Sequence, residues 1–373
     1  MADYKTSSMP GEPFGQLSVE RCIGEIRSGR PVIVAASGAR AIVMTAESLD
    51  PRSVGEIEEF AAGRALLLLS APRLRRLGLD RNEAGAVALP EIDLARISTL
   101  VFDIEAHVDA PVAPLGDLGQ AAMELIRLAL VLPAILLIEI EPGESAGAAL
   151  FSADARDILS YRDAQTQSLH VVSRAPVPLE GAPETEFVVF RGGEGLRDQV
   201  AVIVGHPDLE KPVTVRLHSA CLTGDLFGSL KCDCGDQLRL TTRYMAEHDG
   251  GVLLYLDQEG RGNGLANKIR AYHLQAQGFD TYDADEVLGF DHDQRHYDFA
   301  AAMLKQLGIT RVRLMTNNPA KIAALGAAGL EVVSAQRILG RKTDHNVRYL
   351  ATKRDRSGHM IEIESSPVHQ AKD

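Results

Sequence analysis

The sequence has only four cysteines, no long apolar run and no excess of basic residues. Its first residues, Met-Ala-Asp-Tyr-Lys, lack the charged and apolar regions of a secretory signal, so we expect a cytoplasmic protein with reduced cysteines. The longest apolar stretch, Leu128 to Ile138, is shorter than the roughly 20 residues that a membrane-spanning helix needs. The formal net charge of −12 argues against a nucleic-acid partner, which would favour a basic surface.

The length and the apolar pattern predict two domains. A chain of 373 residues, 45% of them hydrophobic, is too long for one ordinary core. Strand-like apolar runs alternate with helical stretches, which is typical of an α/β fold. The proline-rich run from Arg174 to Glu186 suits a linker or an extended entry into the next domain. We expect an α/β (α+β) protein with two domains, each a mixed sheet with packed helices, at residues 1–171 and 172–361, and a flexible tail at 362–373.

The same patterns predict individual elements. The expected strands are Pro31–Ala35, Ala41–Met44, Ala65–Leu69, Leu100–Ile104, Ile135–Ile140, Glu186–Phe190, Gln199–Val204, Val213–His218, Gly251–Leu256 and Arg311–Met315. The expected helices are Val19–Ile26, Ser53–Ala62, Leu118–Leu130, Leu265–Gln277, Tyr297–Leu307 and Ala320–Ala327. Gly278 suits the position just after a helix, and Asn318 with Pro319 suits a helix start.

Three of the four cysteines, Cys221, Cys232 and Cys234, lie within fourteen residues. Three thiolates can hold Zn²⁺ at about 2.3 Å each and leave its fourth position to water, as in a catalytic zinc site. The pKa of such a water falls to roughly 7. His218 is an alternative fourth ligand that would make the zinc structural, and ordinary buried core cysteines are another alternative. The spacing alone leaves these alternatives open.

Two turns between a strand and a helix suit an anionic ligand. The run Gly260-Arg-Gly-Asn-Gly264 lets backbone N–H groups approach an anion, and Arg261 can pair with phosphate oxygens. Thr316 and Lys321 flank the second turn, where a hydroxyl and an ammonium group can meet one ligand. Each signal alone is weak, because an ordinary turn and a capped helix with a surface lysine give the same patterns.

Together these segments resemble GTP cyclohydrolase II, the zinc enzyme that starts riboflavin synthesis. The likeness runs from about Val215 to His359. Its motifs are Arg216-Leu-His-Ser-Ala-Cys-Leu-Thr-Gly-Asp225, Cys232-Asp-Cys-Gly235, Gln258-Glu-Gly-Arg-Gly262, Asn267-Lys-Ile-Arg-Ala-Tyr272, Leu288-Gly-Phe290, Asp293-Gln-Arg295 and Thr316-Asn-Asn-Pro319. The number of motifs and their order make the match highly specific.

The resemblance implies a reaction and a set of site residues. The three cysteines would hold one Zn²⁺ per subunit and activate water for attack on C8 of the guanine ring, and Mg²⁺ is expected on the triphosphate. The products would be 2,5-diamino-6-hydroxy-4-(5-phosphoribosylamino)pyrimidine, formate and diphosphate. The family also implies a homodimer. The residues that match its nucleotide-contacting positions are Arg216, Gln237, Glu259, Gly260, Arg261, Thr281, Thr316 and Lys321.

The resemblance further makes Arg295 a nucleophile at the α-phosphorus, with Asp293 as its base and Tyr272 assisting. A guanidinium with a pKa above about 12 is a poor nucleophile until it loses a proton. An equally sound role for Arg295 is to stabilise charge that develops on the phosphoryl oxygens. Without the resemblance, Asp293 and Arg295 suit a solvated helix entry, and Tyr272 suits the edge of an amphipathic helix.

Three positions depart from the family pattern. The family usually has Glu at Ala220, Arg at Asp257 and Ile at Asn263, and Asp257 reverses a charge beside the phosphate-facing turn. A cyclohydrolase acting on another nucleotide, for example in pyrimidine breakdown, is therefore an alternative. A non-catalytic nucleotide-binding regulator with a structural zinc is a second alternative. Retention of all three cysteines and all three candidate catalytic residues disfavours the regulator.

The first half is similar to 3,4-dihydroxy-2-butanone-4-phosphate synthase. The similarity is carried by Ile23 to Val34, Ile42 to Glu47 and Gly119 to Ile140. The family's acidic Glu-Gly-Asp motif falls on Ala39-Arg-Ala41, and its metal-binding His falls on Gln120. Without those carboxylates and that imidazole, a divalent metal has few ligands and enediol chemistry lacks its acid and base. We expect a catalytically inactive scaffold that serves dimerisation.

Overall fold

The computed structural model describes residues 14–146, 150–192, 198–291 and 293–338. These residues form two compact units. The first unit contains the described residues of 14–167 and 260–294, and the second contains those of 168–259 and 295–338. The limits predicted at 171 and 361 stay predictions, and they differ from this division by placing 260–294 in the second domain. The predicted tail at 362–373 lies outside the described residues.

The described residues contain twelve α-helices and fourteen strands. The helices are α1 Phe14–Arg27, α2 Pro51–Ala61, α3 Ala71–Arg76, α4 Leu94–Phe102, α5 Asp117–Ala129, α6 Ala155–Ser168, α7 Leu222–Asp225, α8 Cys234–Glu247, α9 Leu265–Ala276, α10 Thr281–Val287, α11 Asp298–Gln306 and α12 Pro319–Ala327. The strands are β1 Val32–Ala36, β2 Ala39–Thr45, β3 Ala65–Leu69, β4 Gly85–Leu89, β5 Val112–Pro114, β6 Ala134–Ile140, β7 Ser152–Asp154, β8 His170–Pro176, β9 Thr185–Arg191, β10 Gln199–Val204, β11 Val213–Ser219, β12 Gly251–Leu256, β13 Arg311–Met315 and β14 Glu331–Gln336.

The first unit contains a seven-stranded sheet with a core on each face. The strand order is β5-β4-β3-β6-β2-β1-β7, and only β1 and β7 pair in parallel. Alternate residues of a strand point to opposite faces. Val32 and Val34 of β1 therefore pack with α1, α5 and α6, whereas Ile33 belongs to the core formed with α2, α3 and α4.

The second unit contains another mixed sheet of seven strands. Its order is β14-β13-β11-β12-β10-β9-β8, with β14, β13, β11 and β12 parallel and the remaining pairs antiparallel. Helices α11 and α12 contribute to the core on one face through Phe299 and Leu325, and α8 contributes to the other through Met245. The carboxyl ends of β11, β12 and β13 therefore share one edge, where ligands commonly bind in such sheets.

The structure confirms the expected α/β (α+β) class with two mixed sheets and packed helices. It also confirms the start of α12, where the Asn318 side chain accepts a hydrogen bond from the N–H of Ala320 at 2.9 Å and Pro319 is the first helical residue. Gly278, with φ of +106°, follows the end of α9 as expected. None of the described helices has the length and apolar character needed to cross a membrane.

One predicted strand is wrong, because Leu100–Ile104 overlaps the end of helix α4. The Asp93 carboxylate caps this helix by accepting a hydrogen bond from the N–H of Ala95 at 2.8 Å. Ile97 and Val101, four residues apart, are both buried. A short apolar run fits a strand or a buried helix equally well, and here the cap decides for the helix.

The proline-rich run at Arg174–Glu186 is a hairpin loop within the second unit. It spans the end of β8 and the start of β9. The Val177 N–H donates to the Thr185 carbonyl at 3.0 Å, and Leu179 forms a bridge with Ala182. The interpretation as a free linker is therefore wrong, because the run joins two paired strands of one unit, and the extended entry into the next domain stays a prediction.

Candidate active site

The three candidate metal ligands come together at the carboxyl edge of the second sheet. Cys221 immediately precedes α7, and Cys234 is the first residue of α8. All three Sγ atoms lie within 4.8 Å of one another, with 3.6 Å between those of Cys221 and Cys232. Among the described residues, this is the one group of three or more His, Cys, Asp or Glu side chains found close enough to share a metal.

The surroundings of the cysteines fit a soft divalent cation. A Cβ added at Gly224 would lie 2.8 Å from the Sγ of Cys232 and 3.0 Å from that of Cys221, so only glycine leaves this space open. The hydrogen bond with Cys221 is the largest cause that raises the pKa of Cys232, to about 11. A coordinated cation favours the thiolate forms of such crowded cysteines. Zn²⁺ is the divalent metal that three thiolates suit best.

His218, the alternative fourth ligand, lies outside this group of side chains. Its Nε2 is 3.1 Å from Oδ1 of Asp225, and its side chain is 3% exposed. Burial lowers the pKa of His218, while the contact with Asp225 opposes that shift. The other oxygen of Asp225 accepts hydrogen bonds from the N–H of Cys221 at 2.9 Å and the hydroxyl of Tyr255 at 3.0 Å. His218 thus contacts Asp225, which holds the backbone of the candidate ligand Cys221, and does not belong to the group of close thiols.

We expect Asp225→Asn to weaken zinc retention about 10- to 100-fold, because partners that orient a ligand typically contribute that much to metal affinity. An amide presents one oxygen where the carboxylate presents two, so a donor that Asp225 now satisfies loses its acceptor. Competition against a chromogenic chelator measures the affinity. Asp249→Asn is the control, since the Asp249 side chain is 82% exposed. Equal zinc affinity in both variants would show that Asp225 does not position Cys221.

Glu259 reaches the same edge of the sheet from the end of β12. Its Oε2 accepts a hydrogen bond from the N–H of Leu222 at 2.6 Å, directly after Cys221. Glu259 is 7% exposed. The contact stabilises the first turn of α7 and brings a carboxylate, predicted to contact a nucleotide, within one residue of the candidate metal ligand Cys221.

Arg216 and Gln237 extend this network along the sheet edge. The Arg216 guanidinium donates to the Gln237 side-chain oxygen and, at 3.1 Å, to the carbonyl of Met315. The Gln237 side-chain amide in turn donates to the Asp233 carboxylate at 2.5 Å. Asp233 lies between Cys232 and Cys234 in the sequence. Burial lowers the pKa of Arg216 to about 10, so the group remains a cation at neutral pH. The structure therefore joins two predicted nucleotide contacts to the cysteine turn.

Thr316, Lys321 and Arg295 are also placed in the second unit. Thr316 follows β13 and its hydroxyl accepts a hydrogen bond from the N–H of Asn318 at 3.0 Å. Lys321 donates to the Leu217 carbonyl of β11 at 2.6 Å. Its Nζ lies 5.5 Å from the ring centre of Tyr297, and the Arg295 guanidinium carbon lies 5.9 Å from the same ring. Two cations thus meet at one buried aromatic side chain.

The first unit contains the remaining predicted site residues. Gly260 and Arg261 both have φ of 61°, and this left-handed backbone is unusual for Arg261. Arg261 pairs with the buried carboxylate of Asp285 and lies 3.4 Å from the Thr281 carbonyl. Burial raises the pKa of Asp285 to about 6, although Arg261 opposes that shift. The structure therefore brings Arg261 and Thr281 together, and their role as nucleotide contacts stays a prediction.

Tyr272 and Asp293 also belong to the first unit. Tyr272 lies on α9, with its ring centre 5.6 Å from Nζ of Lys268. Asp293 is exposed and precedes Gln294, whose N–H donates to the Arg261 carbonyl at 3.1 Å. The division into units thus falls between Asp293 and Arg295. Their proposed partnership stays a prediction.

The structure adds positioning residues that the sequence analysis missed. Asp225 is the last residue of the motif Arg216 to Asp225, and its place four residues after Cys221 is the only sequence signal for its role. Asp285 lies 24 residues from its partner Arg261, so no local pattern marks the pair. Asp233 separates Cys232 and Cys234, yet its bond to Gln237 depends on how α8 begins.

Comparison with known proteins gives one consistent family. Residues 170–337 match the model of the family described as GTP cyclohydrolase II. A GTP cyclohydrolase-2 of Xylella fastidiosa is 43% identical over 359 residues, covering 95% of this chain and 90% of that protein. A GTP cyclohydrolase-2 of Azospirillum brasilense is 40% identical, covering 95% of this chain and 96% of the other. The riboflavin biosynthesis protein RibBA of Endomicrobium trichonymphae is 30% identical, covering 92% and 98%.

Proposed function

The chain belongs to the GTP cyclohydrolase II family of hydrolases, and from this premise we propose that it hydrolyses GTP with zinc held by Cys221, Cys232 and Cys234. The products are 2,5-diamino-6-hydroxy-4-(5-phosphoribosylamino)pyrimidine, formate and diphosphate, and Mg²⁺ accompanies the triphosphate. The observation that carries the proposal is the convergence of three thiols with Glu259 and Arg216 at one sheet edge.

The chemistry consumes three water molecules. One opens the imidazole ring at C8, a second hydrolyses the resulting formamide to release formate, and a third cleaves the bond between the α- and β-phosphates. Zinc at the cysteines supplies Lewis acidity and lowers the pKa of water for the steps at C8. The chain's own part is to hold the thiolates in register and to bind and orient the nucleotide.

Three cations of the second unit suit the anionic parts of the substrate. Arg216 and Lys321 are buried and Arg295 is partly exposed, and together they provide positive charge in a chain whose formal net charge is −12. Fixed cations stabilise charge that develops on phosphoryl oxygens without reorganising during the reaction. By their match to family positions, Gly260, Arg261 and Thr281 of the first unit are further proposed nucleotide contacts.

The biological setting follows from the same family membership. Relatives named for riboflavin biosynthesis support a role in the first step of that pathway. A cytoplasmic homodimer is proposed on the same basis. The first half carries Ala39, Arg40 and Ala41 where the synthase family has its acidic motif. We assign no catalysis to it.

The test is incubation of the zinc-loaded protein with GTP and Mg²⁺, with formate and diphosphate assayed separately. We expect both products in equal amounts. Formate without diphosphate would retain the ring chemistry and refute the proposed phosphoryl step. If neither product forms from GTP but another purine or pyrimidine nucleotide yields one, the enzyme acts on that nucleotide. If the protein binds nucleotides but hydrolyses none of those tested, it is a non-catalytic nucleotide-binding regulator.

We expect Asp257→Arg to lower the KM for GTP about twofold to fivefold with little change in kcat. Asp257 follows β12 and its N–H donates to the Gln199 side chain at 3.0 Å, which fixes the backbone at this position. Removing a negative charge near a polyanion contributes about 1 kcal/mol at a partly exposed position. Steady-state kinetics measure the change, with Asp208→Arg, an exposed site, as the control for net charge. An unchanged or raised KM would show that Asp257 does not oppose GTP binding.

A further inference from the structure

The first unit contains more than the first half of the chain. It also contains segment 260–294, which includes α9 and α10 and carries Arg261, Tyr272 and Thr281. These residues match nucleotide-contacting or catalytic positions of the family, whereas the first half has no proposed chemistry. The contacts that join the two parts within this unit therefore indicate what the first half does.

Helix α3 holds the end of α10 with buried hydrogen bonds. The Ser70 hydroxyl, at the start of α3, donates to the Gly289 carbonyl at 2.6 Å. Nη1 of Arg73 donates to the carbonyl of Val287, the last residue of α10, at 3.1 Å. Ser70 and Arg73 are 1% and 2% exposed. Both bonds fix the backbone just after the helix turn that carries Asp285.

Arg73 is shared between two helix ends. Its other nitrogens donate to the carbonyls of Leu100 at 2.8 Å and Asp103 at 2.7 Å, at the end of α4. Helix carboxyl ends carry partial negative charge, which a buried cation offsets. Burial lowers the pKa of Arg73 to about 10, so the side chain remains charged at neutral pH. Such a cation makes a fixed junction between α4 and α10.

An ion pair adds a second tie between α3 and α10. Nη2 of Arg75 lies 3.0 Å from Oε1 of Glu286, and the two side chains are 31% and 22% exposed. Glu286 directly follows Asp285, whose carboxylate pairs with Arg261. The ion pair from α3 therefore holds the residue next to Asp285, the partner of Arg261.

Helix α9 is held by other parts of the first half. The Asn267 amide donates to the Leu130 carbonyl at 3.1 Å, and Asn267 is 1% exposed. Leu130 has φ of 57°, a left-handed conformation that costs energy for leucine. Arg270, one turn further along α9, lies 2.6 Å from Oε2 of Glu47. Tyr272 follows two residues later on the same helix.

We infer that the first half of the chain is a positioning platform for the nucleotide-contacting segment 260–294, which it holds through α3 on α10 and through Leu130 and Glu47 on α9. The inference rests on the proposed function for the identity of the ligand. Ser70, Arg73 and Arg75 are positioning residues, since within segment 260–294 they contact Gly289 and the end of α10 and not Arg261, Tyr272 or Thr281. The role of the folded first half is then to position this segment and not to catalyse a reaction.

The test uses the full-length, zinc-loaded protein and two perturbations of α3. Arg73→Met removes the hydrogen bond to the Val287 carbonyl. Arg75→Glu replaces the ion pair with Glu286 by two like charges. Arg52→Ala is the control, because Arg52 pairs on the surface of α2 with side-chain exposures of 88% and 66% for Arg52 and Glu56. The double variant Arg75→Glu with Glu286→Arg restores the ion pair in reverse.

We expect each perturbation to raise the KM for GTP about tenfold, corresponding to about 1.4 kcal/mol, with a smaller change in kcat. Amide hydrogen exchange should accelerate in α9 and α10 and stay unchanged in α8, and zinc content should remain that of the wild type. The reversed pair should return KM to within about twofold of the control. These effects separate positioning from general loss of stability, which would also reach α8 and the zinc.

Wild-type KM and wild-type exchange in both Arg73→Met and Arg75→Glu would overturn the platform. If Arg73→Met fails to fold, Arg75→Glu and its reversed pair decide the question. The exchange measurement does not depend on turnover. Accelerated exchange in α9 and α10 in a protein that cannot hydrolyse GTP would therefore support the platform while refuting the proposed function.

Discussion

Replacing Cys232 with serine is expected to remove zinc and to reduce formate release from GTP by at least about a thousandfold. Cys232 is 8% exposed, and its sulfur lies 3.6 Å from that of Cys221. A serine hydroxyl stays protonated near neutral pH and is a poor zinc ligand, which leaves two thiolates for a metal that needs at least three protein ligands. Metal content by elemental analysis and formate by enzymatic assay measure both effects.

Cys22→Ala is the matched control for this variant. Cys22 is the fourth cysteine, it lies in α1, and it is fully buried in the first core. Cys22 does not belong to the group of close metal-ligating side chains that the described residues contain, which consists of Cys221, Cys232 and Cys234. The control should retain zinc and formate release despite losing about 1 kcal/mol of stability. Undiminished formate release by Cys232→Ser would show that the cysteine trio is not the reaction centre.

Arg295→Ala is expected to reduce diphosphate release by about 100- to 1,000-fold without loss of zinc. The Arg295 guanidinium carbon and the Lys321 Nζ lie 5.9 Å and 5.5 Å from the ring centre of Tyr297, so two cations lie near one aromatic side chain. The pKa of a guanidinium lies above about 12, so the group stays protonated at neutral pH. A protonated guanidinium favours charge stabilisation over nucleophilic attack. Arg295→Lys keeps the charge and should recover part of the lost rate. Diphosphate release under single-turnover conditions measures each variant.

Acid quenching of the wild-type reaction distinguishes the two roles of Arg295. An electrostatic role predicts no covalent nucleotide on the protein. A mass increase of one guanylyl group on the peptide that contains Arg295 would establish the nucleophile instead. Arg311→Ala serves as the control variant, since Arg311 forms an exposed pair with Glu331 on the neighbouring strand. Equal diphosphate release by Arg295→Ala and this control would exclude both roles.

The parts of the site that could be predicted from the sequence are local. Cys221, Cys232 and Cys234 lie within fourteen residues, so their chemistry is visible before any folding is considered. The cap at Asn318 and the glycine at 278 are equally local, and both are confirmed. Strands with clear apolar runs, such as β11 and β12, were also predicted close to their observed limits.

The parts that the sequence did not reveal depend on contacts between distant residues. Asp285 meets Arg261 only because α10 folds back on the turn, and Arg73 meets Val287 across 214 residues. Because the contacts that place segment 260–294 in the first unit join residues far apart in the sequence, the sequence pattern predicts this segment in the second domain. The apolar run around Leu100 was mistaken for a strand because burial on one side of α4 gives the same short pattern.

Zinc titration into metal-free, reduced protein in the presence of GTP and Mg²⁺ is the most direct test of zinc-dependent GTP hydrolysis by this chain. Formate release should rise in proportion to bound zinc and reach its plateau at one zinc per chain, with diphosphate appearing in step. Full formate release without zinc, or one tightly bound zinc with no formate, would contradict a catalytic zinc at Cys221, Cys232 and Cys234.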